Sequence, residues 1–355
     1  MKYGKMLAGL AAGLLFYAQA WAALAAAPPD APKDVKYILG FYYGNGENIL
    51  VRENNGRLDL LYRTRRDDQS FAGANVFPLT KEHFDSYVLQ ESGPMSSTEA
   101  QVSFERDPDG YGISCRVGGH TYTRYFMGPG TGERAVPFRL PEKTAEEWAE
   151  LRKQAAAAVM PALLEQGARA ELVNAASVPG LKVDSRYASA DNCFGVPLYS
   201  VPSLYLSRGA AEALRAVQQD LQQYGYGLIL WDAYRPWSVS KLASLALPEK
   251  SKGMLEDPDT EGSRHNTGNA VDVSLYSLET GLPAEMPSDF DEPSFRQYAS
   301  YPGGTSLQRW QRGLLRETME RHGFTGIEME WWHFEYAKDT AWAHLNVPLE
   351  QLADK

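Results

Sequence analysis

The chain has 355 residues, is 44% hydrophobic and 23% charged, and carries a formal net charge of −10. It is long enough for two domains with a substantial core, and its ordinary composition excludes a disordered or fibrous protein. The acidic balance makes it a poor general binder of nucleic acid or anionic membrane, so no nucleic-acid partner is expected. The first residues place Lys2 and Lys5 before an apolar run that ends in small residues around Ala20 and Ala22. This pattern predicts a secretory signal peptide over residues 1–22 and export, most simply to a bacterial periplasm. No stable membrane span is expected after cleavage, because no later apolar run is long enough to cross a bilayer. Cys115 and Cys193 are the only cysteines and are expected in different domains. An oxidising compartment permits a disulfide between them; two separate buried thiols are the other arrangement.

From residue 36 to 135 the sequence predicts a small antiparallel β meander or barrel. The segments "YILGFYY", "NILVREN", "GRLDLLYR", "EAQVSFERD", "GYGISCRV" and "HTYTRYFM" are rich in aromatic and β-branched residues. Asn55-Gly56, Asp109-Gly110 and Gly118-Gly119 mark hairpin turns between them. This part resembles the small lipocalin-like β domains attached to some exported hydrolases. A linker helix follows over residues 143–167. Thr144 and Glu147 form its capping box, Pro161 is a candidate kink and Gly167 a candidate stop.

The second domain, residues 168–350, mixes helices and strands without regular βαβ alternation, which predicts an α+β fold around a mostly antiparallel sheet with flanking helices. Ser207 caps a helix whose Leu214, Val217 and Leu221 share one face, and Gly225 ends it. "GLILWD" reads as a buried strand. "SLQRWQRGLLRETMERHG" reads as a second amphipathic helix with Trp310, Leu314 and Met319 towards the core, and "MEWWHFEY" as the last strand.

Four pieces carry chemistry: Arg235 in "WDAYRP", His265 and Asp272 in "SRHNTGNAVD", and "EWWH" at 330–333. Two histidines and an aspartate are the ligand types of a catalytic zinc, which keeps three protein ligands and one position for water. An aspartate inside an apolar strand needs a compensating partner or cation. A nearby carboxylate can serve as general base and an arginine can stabilise an oxyanion. Along an ideal strand Glu330 and His333 point to opposite faces, whereas His333 and Glu335 share one. For Glu330 and His333 to meet at one metal the strand must be twisted, bulged or only beginning there, so spacing leaves Glu330 and Glu335 both open as the base.

In several separated blocks the second domain resembles the D-alanyl-D-alanine dipeptidase family of zinc peptidases. They are "DSRYASADNCFG", "YGYGLILWDAYRP", "SRHNTGNAVDVSLY", "MPSDFD" and "EMEWWHFEY", within residues 172–340. The resemblance implies one Zn2+ per chain on His265, Asp272 and His333, with Glu330 as general acid/base and Arg235 polarising the scissile carbonyl. It also implies that Asp291 and Tyr187 lie near the substrate's free amino group and that Ser263 borders the pocket for its carboxylate. Two departures bear on specificity: no Gly follows Met286, and the large cation Arg264 precedes the ligand His265 where the family carries a small residue.

The leading expectation is an exported zinc dipeptidase acting on D-Ala-D-Ala or related D-configured dipeptides. The alternative is a zinc D,D-carboxypeptidase trimming peptidoglycan stem peptides, with wall fragments held by the β domain. A non-catalytic cell-wall peptide-binding protein is the third reading. Ligands, base and arginine occur together, which counts against the last. His83, His120, His322 and His344 match no motif and are expected to be structural or on the surface.

Overall fold

The structure is a computed structural model that describes residues 26–63, 74–89, 100–125 and 138–353; the expected signal peptide lies outside the described residues. Eight strands form the N-terminal part: β1 (Gly40–Gly44), β2 (Glu47–Asn54), β3 (Arg57–Arg63), β4 (Asn75–His83), β5 (Ser86–Leu89), β6 (Ala100–Arg106), β7 (Gly112–Val117) and β8 (His120–Arg124). Each pairs antiparallel with the next and β1 closes on β8, so the meander is a barrel without open edges. The Asn55-Gly56 and Gly118-Gly119 hairpins have positive φ at both residues, the geometry of a tight two-residue turn. β4 and β5 escape the sequence reading because "NVFPLTKEHFDSYVL" is broken by Pro78 and three charged residues. The barrel interior is filled by Ile49, Val51, Leu58, Leu60, Val102 and Phe104.

The linker helix is shorter than the expected 143–167. Helix α1 spans Ala145–Ala157, opened by the Thr144–Glu147 capping box. It stops there because Pro161 has no N–H for the Ala157 carbonyl and its ring would collide with that carbonyl. α1 packs on α3 (Trp237–Ala246) of the C-terminal part, which also holds α2 (Arg208–Gln222), α4 (Ser306–Arg321) and α5 (Leu349–Ala353).

The C-terminal sheet runs β10 (Lys182–Val183), β12 (Tyr226–Asp232), β13 (Ala270–Ser277), β15 (His333–Tyr336), β14 (Phe324–Gly326). Only β10 with β12 is parallel, so the sheet is mostly antiparallel as expected. A separate pair, β9 (Leu172–Asn174) with β11 (Tyr205–Ser207), leads into α2. Ser207 caps α2 through the Ala210 N–H, and Leu214, Val217 and Leu221 are all fully buried against the sheet. In α4 the buried apolar residues are Leu315 and Met319, while Trp310 and Leu314 are half-buried. Cys115 and Cys193 are both free, one in the barrel core and one in the C-terminal core, so the two-thiol arrangement holds. No helix among the described residues is long and apolar enough to cross a membrane.

The α2 packing predicts that Leu214→Ala lowers stability by about 3 kcal/mol, whereas Glu212→Ala on the exposed face changes it by less than about 0.5 kcal/mol; thermal unfolding of the two variants checks the contrast.

Candidate active site

Three side chains from different elements converge at the end of the sheet. β13 and β15 run in register with Asp272 opposite His333. His265 comes from a 3-10 turn, Arg264–Thr267, that leads into β13. Ser263 caps that turn and Asn266 reciprocates, while Gly268 takes φ 76° to release the chain into the strand. A Cβ on Gly268 would also meet Leu172 Cδ2 at 2.5 Å. Asn266 Nδ2 donates to the Arg235 carbonyl at 2.8 Å and to Ser240 Oγ at 2.9 Å, which fastens the turn to the segment after β12.

The donor atoms stand at the spacing of a tetrahedral ion. His265 Nε2 is 3.1 Å from His333 Nδ1 and 3.3 Å from Asp272 Oδ2, and His333 Nδ1 is 3.0 Å from Asp272 Oδ1. Ligands about 2 Å from a tetrahedral centre lie ~3.3 Å apart. His265 Nδ1 lies 2.7 Å from the Ala233 carbonyl, which can only accept, so the proton is on Nδ1 and the Nε2 lone pair faces the triad. All three residues are buried. Burial alone would raise the Asp272 pKa, but the two imidazoles hold it well below the usual carboxylate range. Burial would lower that of His333, yet Asp272 and Glu335 push it up to about 10. The pocket therefore favours positive charge at its centre, and these residues fit a divalent cation.

Glu330 stands in a turn before β15, with the His333 N–H donating to the Glu330 carbonyl at 3.3 Å. The strand begins at His333, which is the third of the three ways left open for Glu330 and His333 to meet. The Glu330 carboxylate approaches Nδ1, the triad side of the His333 ring, at 3.9 Å, with 31% of its side chain exposed. Burial, with Asp272 and Asp291 adding to it, raises its pKa to about 7 against the pull of His333. Glu335 approaches the other ring nitrogen, Nε2, at 3.9 Å and lies between Arg264 and Lys338. The two carboxylates thus stand on opposite sides of the ring.

Arg235 is buried and donates through Nε and Nη2 to Asp232 Oδ2 at 2.9 and 2.6 Å. Its guanidinium carbon lies 4.9 Å from the centre of the Tyr187 ring. The Tyr187 hydroxyl donates to Asp291 Oδ2 at 2.7 Å, and the Cys193 thiol approaches the same oxygen at 3.6 Å. Asp291 has φ 56°, left-handed backbone that aims its carboxylate inward. Burial raises its pKa to about 6, with Asp272 adding to it and Tyr187 and Arg235 opposing. Tyr187, Cys193, Asp291, Glu330 and Trp332 line one cavity of about 110 Å³. Ser263 is buried and spends its hydroxyl on the turn, accepting from the His265 N–H.

His322 pairs with Asp220, His344 faces the Leu164 carbonyl, and His83 and His120 are exposed on the barrel. Sequence reasoning missed Asp232. It lies in the quoted "WDAYRP" block and, like Asp272, is a carboxylate within an apolar strand, here at its end, so the same signal would have found it. It is fully buried and accepts from both Arg235 and the Tyr199 hydroxyl, the latter at 2.5 Å. Asp232→Ala would leave the guanidinium buried and unpaired, with an expected loss of about 3–5 kcal/mol; Asp232→Asn should lose less, and denaturant unfolding of both measures the difference.

A family model described as D-ala-D-ala dipeptidase matches residues 168–350. Over 174 residues the chain is 33% identical to the D-alanyl-D-alanine dipeptidase of Enterococcus faecalis, covering 44% of this chain and 86% of that protein. Over 166 residues it is 36% identical to the D-alanyl-D-alanine dipeptidase of Escherichia coli, covering 46% and 84%. A solved structure of the LdcB LD-carboxypeptidase matches 37% of this chain and 59% of that one at 21% identity and a TM-score of 0.26, a likeness too slight to bear on fold or function. The match over residues 168–350, more than half of the chain, together with relatives aligned over most of their own length, shows that the chain belongs to the D-Ala-D-Ala dipeptidase family of peptidases.

Proposed function

We propose that the protein is an exported zinc dipeptidase that hydrolyses D-Ala-D-Ala or a related D-configured dipeptide. In this reading residues 1–22 are a signal peptide, residues 36–135 a β domain and residues 168–350 the peptidase. The observation that carries it is the half-buried carboxylate of Asp291, bonded to the Tyr187 hydroxyl in a small cavity that also holds Glu330. A free ammonium group is the natural partner for such a carboxylate. His265, Asp272 and His333 would hold one zinc ion. When bound, that ion supplies Lewis acidity, lowering the pKa of water and polarising the scissile carbonyl.

The chain's own groups do the rest. Glu330 takes a proton on its carboxylate from the attacking water and returns it to the leaving nitrogen. Its carboxylate is on the triad side of His333, which favours it over Glu335. Arg235, held rigid by Asp232, donates to the carbonyl oxygen as negative charge develops there. Asp291 and Tyr187 bind and orient the substrate ammonium, and the Ser263 turn borders the space for its carboxylate. Two molecules of the free amino acid leave, which fits turnover of wall-derived dipeptides outside the cytoplasm.

The deciding experiment is D-alanine release from free D-Ala-D-Ala and from an N-acylated D-Ala-D-Ala stem peptide, side by side. Cleavage of the free dipeptide supports the reading; cleavage chiefly of the acylated peptide replaces it with a D,D-carboxypeptidase. His265→Ala and His333→Ala should lose bound zinc, measured by elemental analysis, whereas Glu330→Ala should retain it and lose at least about 100-fold in kcat. Near-normal turnover of Glu330→Ala would reopen Glu335.

Asp291 also sets a pH dependence. Its folded pKa is about 6, so its charge is present above that value and lost as pH falls through it, while the substrate's amino group loses its proton above about 8. KM for the free dipeptide should therefore be lowest between these limits and rise on both sides. In Asp291→Asn the acid-side rise should vanish from the KM profile.

A further inference from the structure

The segment Glu285–Tyr301 touches the site twice. Its middle presents Asp291. Farther on, the Gln297 carbonyl accepts the Trp331 N–H at 2.8 Å, the Ala299 N–H donates to the Glu328 carbonyl at 2.9 Å, and the Ser300 N–H donates to the Glu328 carboxylate at 3.0 Å. Both sides of Glu330 are therefore tied to this segment. Apart from the 3-10 turn Phe295–Gln297 it contains no regular element, so its shape depends on individual contacts, among them the buried Glu292–Arg296 pair at 2.6 Å and Arg312, which donates to the Tyr301 carbonyl at 2.8 Å.

The N-terminal part touches both ends. At the start, where the Ala284 N–H donates to the Leu275 carbonyl of β13, Lys36 in the short helix Lys33–Lys36 just before β1 pairs with the exposed Glu285 at 2.6 Å. At the finish, Phe41, Leu50 and Leu61 are cross-strand neighbours that form an apolar row on the outside of the barrel. Tyr301 completes that cluster, with Phe295 and Tyr298 packed against it. The Phe41 ring lies 5.7 Å from Phe295 and 6.1 Å from Tyr301. Just beyond, the β2–β3 hairpin grips the start of α4. The Glu53 carboxylate, 2% exposed, accepts the Ser306 N–H and the Gly56 N–H, both at 2.6 Å. Arg309 donates to the Glu53 carbonyl at 2.8 Å, and the Glu53 N–H to the Gly304 carbonyl at 3.1 Å. A buried carboxylate on the first N–H of a helix, its other oxygen held by its own hairpin, is a strong local anchor.

Between these anchorages a cavity of about 360 Å³ is lined by Met286–Asp289 of the segment, by Lys36 and Tyr37, and by Trp231 and Ser274 of the sheet. Asp289 lines this cavity and Asp291 lines the active-site cavity, with buried Phe290 between them. The middle is seated on the peptidase core instead: Phe290 packs on Trp231 and Trp332, the Trp331 indole N–H donates to Ser288 Oγ at 2.8 Å, and Asp291 accepts from Tyr187, so the barrel reaches Asp291 through the two ends of the segment. The metal triad rests on β13, β15 and the His265 turn, and none of its three residues contacts the barrel through a described hydrogen bond or ion pair.

We propose that the β-barrel is a positioning part of the peptidase: through Phe41 and Glu53 at one end and Lys36 at the other it holds the segment Glu285–Tyr301, and so places Asp291 and the Glu330 turn for a small substrate. The proposal rests on the substrate reading of Asp291 given above. Phe41, Glu53 and Lys36 are positioning residues, since they act through Asp291 and Glu330 and touch no substrate themselves.

The test uses the full zinc-loaded chain with Phe41→Ala, reading steady-state kinetics on D-Ala-D-Ala, zinc content, and amide hydrogen exchange. A displacement of about 1 Å at a binding group costs up to about 100-fold, so a rise in KM of roughly tenfold is expected, with a smaller fall in kcat. Zinc content should not change. Exchange should quicken in residues 285–301 and at Trp331, and stay unchanged in β12 and β13. Unchanged KM and exchange would overturn the proposal. So would a parallel loss of zinc, kcat and protection across the sheet, since that is the signature of general stability. If Phe41→Ala does not fold, Phe41→Leu and Lys36→Ala carry the same expectations in milder form. A parent protein inactive on D-Ala-D-Ala would sink the substrate reading, whereas the exchange data decide the barrel's hold independently.

Discussion

Two buried carboxylates stand abreast on neighbouring strands at the end of the sheet that carries the site. In the register of β12 and β13, Asp232 and Asp272 are direct partners, and both are nearly inaccessible to solvent. Like charges about 5 Å apart repel by ~3 kcal/mol even at an effective dielectric constant near 20. Each must be neutralised by its own partners. Asp232 takes Arg235 and the Tyr199 hydroxyl, and Asp272 takes the two imidazoles. The arrangement commits one carboxylate to holding a guanidinium and leaves the other to attract a cation. The pKa shifts of Asp272 and His333 express the same demand for positive charge between them.

One inserted residue creates this pairing. The β12–β13 ladder runs regularly to Leu230 opposite Val273 and then skips, so that Asp232 rather than Trp231 meets Asp272. Without the bulge Asp232 would fall on the other face of the sheet, away from His265. The bulged Trp231 instead packs against Phe290 and Trp331. Phe290 precedes Asp291 and Trp331 follows Glu330, so the irregularity that aligns the carboxylates also supplies the wall on which the two flanking loops rest.

The candidate ligands His265 and Asp272 and the guanidinium of Arg235 stood out because each is an anomaly within its own neighbours: a histidine in a Gly/Asn-rich turn, an aspartate in an apolar strand, an arginine before a proline; the convergence of the first two with His333 came only with the structure. The alternation of the barrel strands was legible for the same local reason. β4 and β5 were not, since a closed barrel supplies each strand with two neighbours and can accept Pro78 and charged positions that an isolated pattern cannot reveal. Nor could spacing place Glu330. Whether a strand begins at residue 330 or 333 depends on a tie from Trp331 to Gln297, a contact across more than thirty residues of sequence. The end of α1 was readable in principle, because a proline acts four residues upstream of itself, on the carbonyl of Ala157.

How such a site would refuse a longer substrate follows from Asp291. On the reading proposed here, a free dipeptide brings an ammonium group to a carboxylate that already accepts from Tyr187. An N-acylated peptide brings no charge and more volume to a cavity of about 110 Å³. It would leave Asp291 buried against an apolar or amide surface, and burying an unpaired carboxylate costs more than most single contacts return. Discrimination would then come from a penalty on the wrong substrate as much as from attraction to the right one. That penalty holds only while Asp291 cannot turn away. Its left-handed backbone and the packing of Phe290 on Trp231 restrict that motion; under the proposed role of the barrel, its hold on the segment would add to that restraint and tie the choice of a two-residue substrate to a domain outside the candidate site.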